Sequence, residues 1–200
     1  DLYSAFLQDE IKLIPDRLWL TLGAKYEHND YTGSEWQPSA RLLWKPTTNH
    51  SLWTSVARAV RTHSLTEING AITVGVIPPI YGMPTTPIRV VGSSDFDSET
   101  LIAYEAGYRW QVSRNFSFDV AAYYNDYDKI YSNAYYPPSP NLPLVNAKEG
   151  DGHGVEIAAN WQTSSWLSLY LAYTWQELDI DVKDSWKPLI PPEDYHSSNI

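Results

Sequence analysis

The sequence contains no cysteine, so it builds neither a disulfide framework nor a thiolate metal centre. It also lacks any apolar run of the roughly eighteen residues needed for a membrane-spanning helix. Positive charge is scarce. A formal net charge of -10 leaves no basic patch to neutralise phosphates, which argues against a nucleic-acid partner. Phenylalanine is scarce too, with four against nine Trp and fifteen Tyr. Most aromatic rings therefore carry a polar handle, which suits a surface that is apolar on one side and wet on the other, such as a membrane interface. The chain opens on DLYSAFLQDE, which already reads as strand, so any export signal is expected upstream.

What the sequence does have is alternation with a period of two. Leu18, Leu20, Leu22, Ala24 and Tyr26 share one face, and Thr21, Gly23, Lys25 and Glu27 the other. Ile102, Tyr104, Ala106, Tyr108 and Trp110 oppose Ala103, Glu105, Gly107, Arg109 and Gln111. The same reading fits Phe116 to Asn125 and Leu167 to Gln176, with weaker versions over 2–13, 36–45, 51–62 and 153–162. A ninth strand is expected near His196. These strands run to about ten residues or more, against about five or six in globular sheets, and a tilted strand crossing a bilayer needs about nine to eleven.

The connections alternate in length. Tight hairpins are expected at Ile14–Arg17, Pro46–Asn49, Ser113–Asn115 and Thr163–Ser165. Long links are expected over about 28–35, 63–98, 128–152 and 178–195, with no helical segment. Short turns at one end and long loops at the other are the pattern of an outer-membrane barrel. Trp19, Trp44, Trp53, Trp110, Trp161 and Trp166 lie near short turns and are expected to ring one interface. Tyr26, Tyr31, Tyr124, Tyr127, Tyr173 and Trp175 are expected to ring the other. The faces opposite the apolar ones carry Lys25, Glu27, Arg41, Glu105, Arg109, Asp119 and Glu156, which demands a wide, wet or plugged interior. Plugged barrels have about 22 strands. The expected fold is therefore all-β: an antiparallel up-and-down transmembrane β-barrel segment, supplying about 8–9 strands of a larger barrel.

The residues also resemble a known family. AFLQDEIKLIPDRLWLTLGAKYEHN (5–29) is similar to the "F-x-Q-D … L-T-x-G-x-R-Y-D" hairpin of TonB-dependent outer-membrane receptors. PSARLLWKPTTNHSLWTSVARAVRTHSLTEI (38–68) resembles the next hairpin of that family, with its Arg-x-Pro-Ser-like turn and a Glu. SETLIAYEAGYRWQ (98–111) is similar to its "E-x-x-x-x-Y-E-x-G-x-R" strand, and GHGVEIAANWQTSSWLSLYLAYTW (152–175) to its "G-x-E-x-x" strand and following hairpin. PPEDYHSSNI resembles the start of the strand after that. His63 stands where the family often has Pro, and Lys25 where it often has Arg. The resemblance implies that residues 1–200 are part of a receptor barrel, without its N-terminal plug and closing strand. It further implies active uptake of a scarce ligand such as a metal–siderophore complex, in the bacterial outer membrane. The bilayer, and TonB acting through the plug region, would be the partners. The alternatives are a passive porin-like or enzymatic barrel, and a soluble all-β carbohydrate-binding module whose apolar faces pack as a sandwich.

Candidate ligand contacts fall in the long links. ITVGVIPPIYGMPTTPIRVV is oddly apolar for a link, and its prolines (Pro78, Pro79, Pro84 and Pro87) stiffen it. Tyr81 and Met83 there offer adaptable contacts. Tyr131, Tyr135 and Tyr136 form a second aromatic group, suited to an aromatic or sugar ligand or to an extended interface belt. The acids Asp95, Asp97 and Glu99, and Asp179, Asp181 and Asp184, lack the glycine-containing loop of a calcium motif and read as solvated. His28, His50, His63, His153 and His196 show no metal-ligand spacing, and no Ser/His/acid set stands out. No enzyme activity, cofactor or resident metal is therefore expected.

Overall fold

The computed structural model describes residues 1–79, 84–93 and 96–199. Eight long strands, β1 (Leu2–Ile14), β2 (Leu18–Asn29), β3 (Gly33–Thr47), β4 (His50–Arg61), β7 (Glu99–Ser113), β8 (Phe116–Asn133), β9 (Asn141–Gln162) and β10 (Ser168–Val182), follow one another as an antiparallel meander. A short strand β11 (His196–Asn199) pairs with the end of β10. The excursion between β4 and β7 carries a helix α1 (Leu65–Asn69) and a hairpin of β5 (Ala71–Ile77) and β6 (Thr86–Val91). That hairpin joins the main sheet through a parallel ladder between β6 and the start of β9.

The ladder registers sort every side chain onto one of two faces. One cross-strand row reads Leu18, Trp44, Leu52, Tyr108, Val120, Ile157, Tyr173. The next reads Leu20, Leu42, Thr54, Ala106, Ala122, Val155, Trp175. On the opposite face one row reads Thr21, Arg41, Ser55, Glu105, Tyr123, Gly154, Gln176. All seven charged residues expected inside fall on this polar face. Asp9 breaks the sorting on edge strand β1, opposite Leu22, and toward the long-loop end Arg58, Asp126, Asp151, Glu177 and Asp179 also share the parity of the apolar face.

The polar face is organised by pairing and by glycine. Arg109 bonds Asp119, and the Ser55 hydroxyl donates to Glu105 at 3.1 Å. Arg41 lies 5.2 Å over the Trp53 ring, and that ring covers Gly107, where an added Cβ would sit 2.4 Å from it. Tyr123 crosses Gly154 in the same way to reach Gln176 at 3.2 Å.

Among the described residues, no second layer packs on either face of the long strands. Leu7 and Leu171 are 78% and 74% exposed, and no buried side chain lies in the middle of a long strand. The apolar faces therefore do not close on each other as a sandwich, which removes the physical basis for a soluble module. No helix among the described residues is long and apolar enough to cross a membrane, and this leaves strands free to do so.

Several details differ from the sequence reading. The first long link is a tight turn: β2 runs to Asn29 and β3 starts at Gly33. The Asn29 side chain accepts from the Tyr31 and Thr32 amides at 2.8 and 2.7 Å, and Gly33 takes φ 71°, so the turn needs no further residues. Most of 128–152 is strand, because β8 and β9 extend toward each other and leave only 134–140 between them. The 63–98 link is not helix-free, since Ser64 and Glu67 form a reciprocal capping box that starts α1. Of the six Trp assigned to one ring, Trp44, Trp110 and Trp161 lie in the apolar face and Trp166 in a turn. Trp19 and Trp53 have the opposite parity and point to the polar face, as does Tyr127 in the other ring. Distance from a turn sets the height of a residue, but parity sets its face.

Candidate ligand-contact surface at the long-loop end

The four hairpins Ile14–Leu18, Thr47–His50, Ser113–Phe116 and Gln162–Ser168 lie at one end of the sheet. α1, the β5–β6 hairpin and the extensions of β8 and β9 lie at the other. Among the described residues, every buried one other than glycine belongs to this second end: His63, Phe96, Ser98, Ala134, Leu144, Ala147, Val182 and Ile190. Ala147, Val182 and Ile190 make a small core, with Val145, Trp186 and Tyr195 against it. That core holds the 183–195 link on β9 and gives the surface above it a fixed floor.

At the neck of the excursion, Arg61 ends β4 with its guanidinium bonded to Glu67 and 3.4 Å from Glu99. The same guanidinium lies 5.4 Å over the Tyr131 ring. Tyr131 in turn meets the edge of Phe96 at 6.4 Å, and its amide donates to Glu99. The result is a half-exposed cation–aromatic platform tied to three strands and a helix. Burial pushes the Glu67 carboxyl up, but bonds from Ser64 and Arg61 outweigh it and hold the group below its usual range.

Beside the platform, Asn146 clips the segment before β7. It accepts from the Asp97 amide at 2.7 Å and donates to the Asp97 carbonyl at 2.9 Å. Lys129, with φ 60°, donates to the Asp97 carboxylate at 2.7 Å. A cleft of about 460 Å³ opens next to the clip, with Tyr136, Trp186, Asn146 and Pro143 among its walls.

The aromatic trio read from sequence is thus divided. Tyr131 belongs to the Arg61 platform, and Tyr136 to the cleft. Tyr135 is half exposed, and its amide donates to the Leu189 carbonyl at 2.7 Å. Tyr81 and Met83 lie outside the described residues. Of the acids expected to be solvated, Glu99 pairs with Arg61, Asp97 with Lys129 and Asp184 with Lys187, Asp181 lies 2.8 Å from the His196 ring, and Asp95 lies outside the described residues. Sequence reasoning missed Arg61, Phe96 and Asn146, whose partners are far away in the chain. A cation two residues before a histidine, Arg61 and His63, at the end of an expected strand was the one available signal.

A single-layer sheet of long strands, apolar on one face and charged on the other, with four tight hairpins at one end and the long links at the other, defines a piece of a membrane barrel wall. The comparisons give the family. The model for "TonB dependent receptor-like, beta-barrel" matches residues 1–195, and the chain belongs to this family. The ferric enterobactin receptor of Pseudomonas aeruginosa is 34% identical over 68 residues, covering 34% of this chain and 9% of that protein. A solved mutant of that receptor in complex with enterobactin superposes with a TM-score of 0.72 at 19% identity, covering 92% of this chain and 30% of the other. The siderophore receptor PirA of Acinetobacter baumannii gives 0.68 at 17% identity, covering 92% and 27%. The FrpB iron transporter of Neisseria meningitidis gives 0.67 at 15%, covering 94% and 27%. The chain spans less than a third of these solved proteins. Their low identities speak for the shared fold.

Proposed function

We propose that this chain is part of the barrel wall of an outer-membrane receptor that binds a ferric siderophore outside the cell and imports it with energy supplied through TonB. The observation that carries the membrane half of this reading is the pair of apolar rows, broken only by Thr54, with nothing among the described residues packed on them. In water such a surface would aggregate, whereas in a bilayer it is the lipid contact. The charged inward face suits a lumen filled by water or by a plug from elsewhere in the protein.

The similarity to proteins named as ferric enterobactin and siderophore receptors supports the ligand class. Ligand contact falls to the long-loop end, through Tyr131 on the Arg61 platform and Tyr136 in the adjacent cleft, with Tyr135 beside them. Tyr81 and Met83, in the link between β5 and β6, are further candidates on the strength of their side-chain chemistry alone. Planar rings and a guanidinium offer stacking and charge to an anionic, ring-bearing ligand.

The test uses the full-length receptor expressed in cells lacking their own siderophore receptors. Radio-iron delivered as ferric enterobactin should accumulate in cells with TonB and not in cells without it. Equal accumulation in both would point to passive entry and end the active-uptake reading. The double change Tyr131→Ala and Tyr136→Ala should weaken binding of ferric enterobactin by about tenfold, or about 1.4 kcal/mol. Unchanged affinity would move the contact surface elsewhere.

A further inference from the structure

His63 sits two residues beyond β4, at the point where the long excursion leaves the sheet. It is 9% exposed, and neither ring nitrogen has a hydrogen-bond partner among the described residues. Its ring stacks on Phe96 with centroids 3.9 Å apart and planes 26° apart. Phe96 lies where the same excursion returns to the sheet. The stack therefore pins together the two ends of a loop that contains α1 and the β5–β6 hairpin. Ser98, two positions past Phe96, is also buried, and its hydroxyl has no partner among the described residues. Buried polar groups are ordinarily bonded, and each exception asks for a reason.

We propose that His63 is a proton-controlled clasp, which holds the excursion shut over the barrel rim while its imidazole is neutral and loosens it on protonation. The proposal concerns regulation of the ligand-contact surface and rests on that reading for its biological meaning, though not for its test. A neutral imidazole loses little by being buried against a phenyl face, whereas an imidazolium needs water or acceptors for both N–H groups.

Charged groups face it from three elements. Glu67 on α1 and Glu99 on β7 favour the cation, and Arg61 on β4 opposes it. The backbone of Asp97 lies close enough to favour the charged form, but its geometry falls short of a hydrogen bond. Tyr131 on β8 reaches the site only through the edge of Phe96. The Phe96 face gives a cation some attraction but accepts no conventional hydrogen bond. Glu67 and Glu99 are already engaged by Arg61. Burial outweighs these influences and holds the imidazole below its ordinary value.

Linkage sets the direction of the response. An open loop exposes His63 and takes a proton near the usual pKa of about 6.5. The closed loop takes it only at lower pH. Closure is thus at full strength above about 6.5 and weakens as pH falls below it, until the lowered value is passed.

Hydrogen–deuterium exchange on the full-length receptor in lipid nanodiscs tests this at about pH 7.5 and about pH 5.5, values on either side of the histidine range. After correction for intrinsic rates, protection of α1 and the β5–β6 hairpin should fall by up to about tenfold per pH unit, the limit for one proton. The β7–β8 ladder should not change. In His63→Phe, and independently in His63→Leu, the loop should keep its protection at both pH values. Flat protection in the unaltered receptor, or the same fall in both non-titrating variants, would overturn the clasp. Failure of ferric enterobactin to bind, with this pH response intact, would overturn the ligand reading alone.

Discussion

The spanning sheet and the long-loop end are built by opposite means. In the sheet, backbone ladders do nearly all the internal work. Side chains there face lipid or lumen, and the middle of each long strand buries none of them. At the loop end the ladders thin out, and order comes from a small apolar core, the Asn146 clip and the Arg61 and His63 contacts. Charged substitutions on the sheet's apolar rows should cost more than those on its polar ones. The loop end depends on a few named contacts, each of modest strength, and this is where conformational response is to be sought.

The contrast can be broken most forcefully on the outward face. Val120→Arg places a charge in the middle of an apolar row and should cost about 2–4 kcal/mol in the folded barrel. Urea unfolding of the full-length receptor in liposomes reads this out, with Gln176→Arg on the inward face as the near-neutral control. Equal losses for the two would mean that the faces are not distinguished by lipid.

Next comes Gly107→Val. The new side chain must displace the Trp53 ring, and overpacking of this kind costs about 1–3 kcal/mol. A changed Trp emission spectrum should accompany the loss. A smaller effect is expected at α1, where Ser64→Ala removes one half of the capping box and should cost about 1 kcal/mol, seen as faster amide exchange confined to residues 65–69.

The smallest effect belongs to the Arg109–Asp119 pair. The arginine side chain is 68% exposed, so a double-mutant cycle should return only about 0.2–1 kcal/mol, and less at high salt. A coupling well above that range would mean that the lumen is drier than the inward rows suggest.

Much of the sheet is legible in the order of residues. The alternation around Leu18–Tyr26 and Ile102–Trp110 marks both the strands and their two faces, and the short turns fall where Pro15, Asn49 and Asn115 sit. The turn at Asn29–Gly33 is legible in principle, because asparagine followed by glycine at that spacing carries its own geometry. The expectation that every second link is long hides it. The loop end is far less legible. Tyr131 stands out as aromatic, but its value depends on Arg61, far away in the chain, and on Phe96 from the other end of the excursion. His63 carries no local sign that both of its nitrogens are buried and without a partner among the described residues.

The features that residue order settles are local and periodic: strand, turn, and the division of side chains between a lipid row and a lumen row. The physical reason is that backbone pleating imposes a period of two wherever a sheet separates two media. Three-dimensional packing decides the rest: which distant residues meet at the rim, and that a histidine closes the neck of the long loop. Those outcomes depend on strand register and on contacts between segments far apart in the chain, and no local pattern encodes them.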